Sequence, residues 1–136
     1  MLHLSRGNSN AWSYTGKKIN FRGKKAEPAY IRFDGEYIIA GTPLLADVSY
    51  KVYISVYDLT SKSELGGVTI EEGSDSAKLL QFERGTIDHS TQIFLQPGHS
   101  YLCKVGLQTS GSSWGSGAVI RNTVRLNAVT VDLINY

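Results

Sequence analysis

The chain has 136 residues, 41% of them hydrophobic, and a formal net charge of +2. That length fits a single domain with a real core, and no apolar run approaches the ~18 residues that a membrane-spanning helix needs. The start, Met1 to Asn8, lacks the apolar stretch of a secretory signal. The expectation is a protein that acts where it is made, leaves by another route, or is an excised domain.

The single cysteine, Cys103, excludes an internal disulfide. Its place in an alternating apolar run makes it a small buried hydrophobe rather than a nucleophile. The small net charge hides an asymmetry. Residues 1–26 carry Arg6, Lys17, Lys18, Arg22, Lys24 and Lys25 and no acid, while the rest of the chain sets 8 basic residues against 12 acidic ones. A body of −4 therefore follows a segment of +6. This segment is expected to be a basic arm or edge segment, and 27–136 a single domain. A basic arm contacts an acidic protein surface or nucleic acid; alternatively, its lysines only guard an edge strand. A protein partner is the expectation, with nucleic acid the weaker alternative.

In chain order, residues 5–16 are small and polar around Trp12 and Tyr14, which reads as an extended arm anchored by one of those rings. A short strand Lys18–Phe21 and a connector through Pro28 follow. Tyr30–Phe33 alternates into Asp34-Gly35, a hairpin signal, with a return strand Glu36–Ala40. The cleanest strand is Val48–Tyr57. Val48, Tyr50, Val52, Ile54 and Val56 form a core face, and Ser49, Lys51, Tyr53, Ser55 and Tyr57 the opposite face, a period of two that no helix shares.

Leu59–Gly67 reads as a turn region, Val68–Ile70 as a strand, Glu71–Ser76 as an acidic loop, 78–82 as a strand and Arg84-Gly85 as a turn. Thr91–Leu95 and Tyr101–Leu107 are strands joined at Pro97-Gly98, where proline fixes φ and glycine permits φ > 0. Thr109–Gly117 reads as a flexible loop by composition. Residues 118–120 and Thr123–Ile134 close the chain. Val124, Leu126 and Ala128 share one parity and Val129, Val131 and Leu133 the other, which predicts a β-bulge near Asn127–Ala128 or else a segment buried on both faces. The whole reads as an all-β fold: an antiparallel β-sandwich of jelly-roll type, about ten short strands, with no substantial helix.

Catalytic and metal signatures are sparse. Asp88-His89-Ser90 holds triad letters, but adjacent residues of an extended chain point to opposite faces. His3 and His99 sit in an arm and a turn. No Cys pair, His-x-x-x-His or calcium loop occurs, and Glu71, Glu72 and Asp75 read as a solvated turn rather than a cation site. No enzyme, metal or cofactor is expected. Binding surface remains: Trp114 in its Ser/Gly loop, and Tyr53 with Tyr57 about 13 Å apart along one strand at a rise of ~3.3 Å per residue. These aromatics suit a sugar ring or a subunit interface; alternatively, Trp114 packs back on the body and the two tyrosines pack across strands beneath a loop.

Leu95-Gln-Pro-Gly-His-Ser-Tyr101, with Cys103 and Val105, resembles the tyrosine corner of fibronectin type III and immunoglobulin-like sandwiches, without the partner cysteine and tryptophan of the immunoglobulin pattern. Ile31-Arg-Phe-Asp-Gly-Glu-Tyr-Ile-Ile39, followed by the long strand ending Tyr57-Asp-Leu-Thr-Ser, the Pro-Gly unit and the closing strand Ala128–Ile134, resembles complement-head and tumour-necrosis-factor-like jelly rolls of the bacterial or phage type. That resemblance implies a non-catalytic trimer with partner-binding outer loops, used as a virion or fibre component or another extracellular assembly, with 1–26 as attachment segment. The function expected is a structural or adhesive module, oligomeric; the alternative is a carbohydrate-binding module or lectin.

Overall fold

The computed structural model describes residues 6–41, 45–76, 82–114 and 120–134, with side chains over 11–40, 49–70, 84–111 and 121–134. Seven strands build it: β1 (Arg6–Asn20), β2 (Glu27–Gly41), β3 (Leu45–Asp58), β4 (Ser63–Ser76), β5 (Phe82–Leu95), β6 (Ser100–Trp114) and β7 (Ile120–Leu133). They form two antiparallel sheets, ordered β1-β6-β3-β4 and β5-β2-β7. The all-β sandwich expected from the alternation is present, and no helix occurs among the described residues.

The strands are fewer and longer than expected, 14 or 15 residues each rather than about ten short ones. The reason lies in residues that read as turns. Asp34-Gly35, Gly66-Gly67, Arg84-Gly85, Glu71–Ser76 and the Ser/Gly run 109–114 all continue strands. At Gly35 the reason is close approach: a β-carbon there would lie 2.2 Å from the Arg125 carbonyl oxygen on β7. The dipeptide therefore marks a bulge rather than a hairpin. The strands expected at 78–82 and 118–120 lie outside the described residues, apart from Phe82 and Ile120, which open β5 and β7.

That same bulge carries the phase change on β7. Asp34 pairs with Ala128 and Gly35 with Leu126, so Asn127 is the extra residue. Val124 and Leu126 reach the core with one parity, and Val129 packs against it with the other. The remaining core lies between the sheets. Ala29, Ile31, Phe33, Tyr37 and Ile39 come from β2, Val52, Ile54 and Val56 from β3, Ile87, Ile93 and Leu95 from β5, and Tyr101, Cys103, Val105 and Leu107 from β6. At roughly 25 cal/mol per Å² of apolar area, each fully buried large side chain contributes about 1.5–3 kcal/mol.

The two sheets close differently on their two sides. On the β1–β7 side, Asn122 Nδ2 donates to the carbonyls of Ala11 (2.9 Å) and Leu107 (3.3 Å) and to Thr109 Oγ1 (2.8 Å). Ser13 Oγ donates to the Asn122 carbonyl at 2.8 Å and also contacts Asn122 Oδ1. On the β4–β5 side a cleft of about 310 Å³ opens, lined by Asp58, Leu65, Gln92, Ile93, Phe94 and Gln96. Strand β4 slips register twice against β3, at Leu65 and at Ile70. Such bulges discourage pairing with a further strand.

Candidate functional site

Antiparallel register decides which side chains share the outer face of the four-stranded sheet. Tyr14 pairs with Gly106, and Gly106 with Tyr53. One step along, Trp12 pairs with Gln108, and Gln108 with Lys51. The alternation Ala11, Ser13, Thr15 against Trp12, Tyr14 turns the small residues of β1 inward and its rings outward. Trp12 is 58% exposed and Tyr14 76%. Trp12 meets Tyr53 edge to face, with centroids 6.5 Å apart and planes at 71°, a geometry aromatic quadrupoles favour.

Gly106 is the reason that Tyr53 can lie where it does. A β-carbon at 106 would stand 2.2–2.6 Å from ring atoms of Tyr53, so the ring covers the glycine. Further along β3, Tyr57 carries the Lys104 ammonium 5.7 Å from its ring centroid, within cation–π range. The face therefore combines Trp12, Tyr14, Tyr53 and Tyr57 with the polar Gln108, Lys51 and Lys104.

The sequence pointed to Tyr53, Tyr57 and Trp114. The first two share this face. Trp114 ends β6, opposite Arg6 in the β1 register, and its side chain lies outside those described. The arm expected to be anchored by Trp12 or Tyr14 is a strand of the sheet, and both rings stand on its surface. The signal that finds them is the period of two from Ala11 to Thr15. Of the basic segment, Arg6, Lys17 and Lys18 lie within β1, paired throughout with β6. Lys17 Nζ donates to the Asn127 carbonyl at 3.3 Å, whereas Arg22, Lys24 and Lys25 are exposed in the connector to β2.

A second constellation, absent from the sequence reading, caps the opposite end of the sheet. Asp58, 2% exposed, accepts from the N–H groups of Thr60 (2.9 Å) and Ser61 (3.0 Å) with Oδ1. Its Oδ2 accepts from His99 Nδ1 at 2.7 Å, which fixes the proton on that nitrogen. Burial pushes the Asp58 carboxyl upward, but hydrogen bonds from Ser61, His99 and Thr60 outweigh it and lower the pKa to about 2. Beside it, Gly98 at φ 76° turns the chain, and Tyr101 Oη accepts from the Gln96 N–H at 2.6 Å, locking the corner. Both oxygens of Asp58 are thus engaged, Oδ1 by the turn that follows β3 and Oδ2 by His99 just before β6.

Asp88, His89 and Ser90 do not converge. Asp88 pairs with Arg32 at 3.0 Å on the exposed side of β2 and β5, while His89, half-buried, has the opposite parity. Among the described residues no group of three His, Cys, Asp or Glu side chains is placed to hold a metal ion, and no helix is long and apolar enough to cross a membrane. Neither a protein-family description nor any curated protein matches the chain.

Proposed function

We propose that the protein is a non-enzymatic adhesive module, a β-sandwich of jelly-roll type that holds its target against the outer face of the four-stranded sheet. One observation carries this reading: Trp12 and Tyr14, with 58% and 76% exposure, stand on a regular sheet face beside Tyr53. Burying large rings contributes most to association, and a rigid sheet presents them at little entropic cost. The jelly-roll type is supported by the path of the chain, which crosses between the sheets at every connection except β3 to β4. Adhesion of the fluorescently labelled protein to intact bacterial cells and to mucin-coated surfaces tests the reading. Trp12→Ala and Tyr14→Ala are expected to abolish it; adhesion indifferent to both overturns the assignment of this face.

The second reading is self-assembly into a homotrimer, as a tip or decoration of a virion or fibre, with Arg6, Lys17, Lys18, Arg22, Lys24 and Lys25 contacting a protein partner. It is favoured by apolar side chains left open on a single copy: Phe94 at 60%, Leu133 at 44% and Val131 at 36% exposure. Sedimentation velocity at micromolar concentration distinguishes the two: a threefold mass supports assembly, and a plain monomer removes it.

A further inference from the structure

We infer that the corner formed by Trp12 and Tyr53 is a subsite for a pyranose ring, so that the ligand of the adhesive face is a glycan; the inference rests on that face being the contact surface. The Tyr53 ring lies over Gly106, and the Trp12 plane stands at 71° to it with centroids 6.5 Å apart. One ring offers a flat surface and the other a wall. A pyranose has matching parts: an apolar face of C–H bonds and a rim of hydroxyls. The C–H face stacks on one ring, and the hydroxyls turn toward polar groups at the margin.

Those polar groups are in place. Gln108 pairs with both Trp12 and Lys51 across the strands, one strand spacing of about 4.8 Å from each. Gln108 supplies an amide donor and acceptor, and Lys51 a flexible ammonium. Two rows along, beyond Gly106, Lys104 pairs with Ser55 and leans toward Tyr57. Small-ligand sites elsewhere follow the same rule of a mostly apolar surface with a few placed polar groups. A purely apolar partner would leave these groups without partners, at about 1–3 kcal/mol for each buried one.

This corner is preorganised. Gly106 admits the Tyr53 ring, and any β-carbon there displaces it. Trp12 braces the same ring from the neighbouring edge. Single-stranded nucleic acid also stacks on aromatic platforms, but it needs a basic track for its phosphates. The lysines of this face, Lys18, Lys104 and Lys51, stand on three different rows of the sheet, with Glu64 opposite Tyr57 among them, and so form no continuous track.

Trp12 and Trp114 are the two tryptophans of the chain, so the full-length Trp114→Phe variant makes Trp12 the sole indole reporter. Titration with maltohexaose, cellohexaose, chitohexaose and a sialylated lacto-oligosaccharide is expected to give a saturable change in Trp12 emission with at least one of them. Calorimetry with that sugar is expected to show binding weakened about tenfold or more by Trp12→Ala and by Tyr53→Ala, the loss typical of a central aromatic anchor. Gly106→Ala, which moves the ring and deletes no contact atom, is expected to weaken it as well. Tyr30→Ala, on the outer face of the other sheet, leaves it unchanged. Absence of binding to all four sugars, binding indifferent to Tyr53→Ala, or displacement of the sugar by oligo-dT overturns the inference. Periodate oxidation of the adhesion surfaces separates the two claims. Adhesion that needs Trp12 but survives periodate leaves the contact face standing and removes the glycan; adhesion indifferent to Trp12→Ala removes the contact face itself.

Discussion

Burial raises the pKa of both Cys103 and Asp58, and only at Asp58 do hydrogen bonds reverse the net shift. Cys103 has only burial acting on its thiol, which pushes the pKa up to about 12, and its side chain is inaccessible. A thiolate is the reactive form, so native protein is expected to resist iodoacetamide at pH 8 and to react fully in denaturant. Modification of native protein at the rate of a free thiol would contradict this. Asp58 is buried too, yet three donors hold its carboxyl at about 2, below the ordinary 3.8. A folded-state pKa below the unfolded one adds stability above the unfolded value, and that stability is lost as pH falls through the folded value. Urea denaturation is therefore expected to show stability declining between about pH 4 and pH 2. In Asp58→Asn that part of the decline should vanish. The neutral pH stability of this variant should also fall, by about 1–3 kcal/mol, because a charge-assisted acceptor is lost from donors that remain. Only the turn from Asp58 to Thr60 and Ser61 is local in the sequence. Asp58 and His99 lie far apart in the chain, and only the pairing of β3 with β6 brings their strand ends together.

At the scale of the element, Gly35 and Asn127 act as one device. The extra residue on β7 shifts its parity, and glycine opposite it lets the Arg125 carbonyl come close. Gly35→Ala is expected to cost at least about 2 kcal/mol, the range for forcing atoms into a filled site, read as a lower urea midpoint at unchanged slope. A cost near zero would mean that the bulge relaxes freely. One half of this device was legible. The switch of apolar parity from Val124 and Leu126 to Val129 and Val131 located the bulge, because a period of two registers a single inserted residue. The other half misled: Asp-Gly has the same local chemistry in a hairpin turn and opposite a bulge, and only the partner strand decides between them. The same ambiguity split β4 and β5 at Gly67 and Gly85, and cut β6 short at its Ser/Gly end. Strand faces such as Val52, Ile54 and Val56 were legible because burial alone sets their pattern. Trp12 and Tyr14 were not recognised as surface, since the polar residues around them read as an arm until β6 supplies the register.

On the scale of the whole molecule, the chain joins its ends through its sheets. Strand β1 pairs with β6 from Arg6↔Trp114 to Asn20↔Ser100, and β7 pairs with β2 from Gly41↔Ile120 to Ala29↔Leu133. Such non-local pairing makes loop closure precede most of the stabilising contacts, so refolding is expected on the millisecond-to-second scale. It also bears on the basic segment. Ala11 and Ile19 pack against the core, and the Ala11 carbonyl receives Asn122 Nδ2 on the side where β1 meets β7. Removing residues 1–20 would strip β6 of one neighbour along its whole length, expose its edge to association, and leave Asn122 without part of its network. The truncated chain is therefore expected to lose cooperative unfolding and to aggregate. Lys17→Ser with Lys18→Ser, which removes charge and keeps the strand, should fold with a midpoint close to that of the parent, since exposed charges contribute little. The comparison separates two roles that composition alone confounds. An independent attachment arm could be cut away without harm to the fold. A strand that completes a sheet could lose its lysines but not its backbone. Circular dichroism melts of both variants, with light scattering for the truncation, give the answer, and a truncated chain that melts cooperatively as a soluble species would establish the arm.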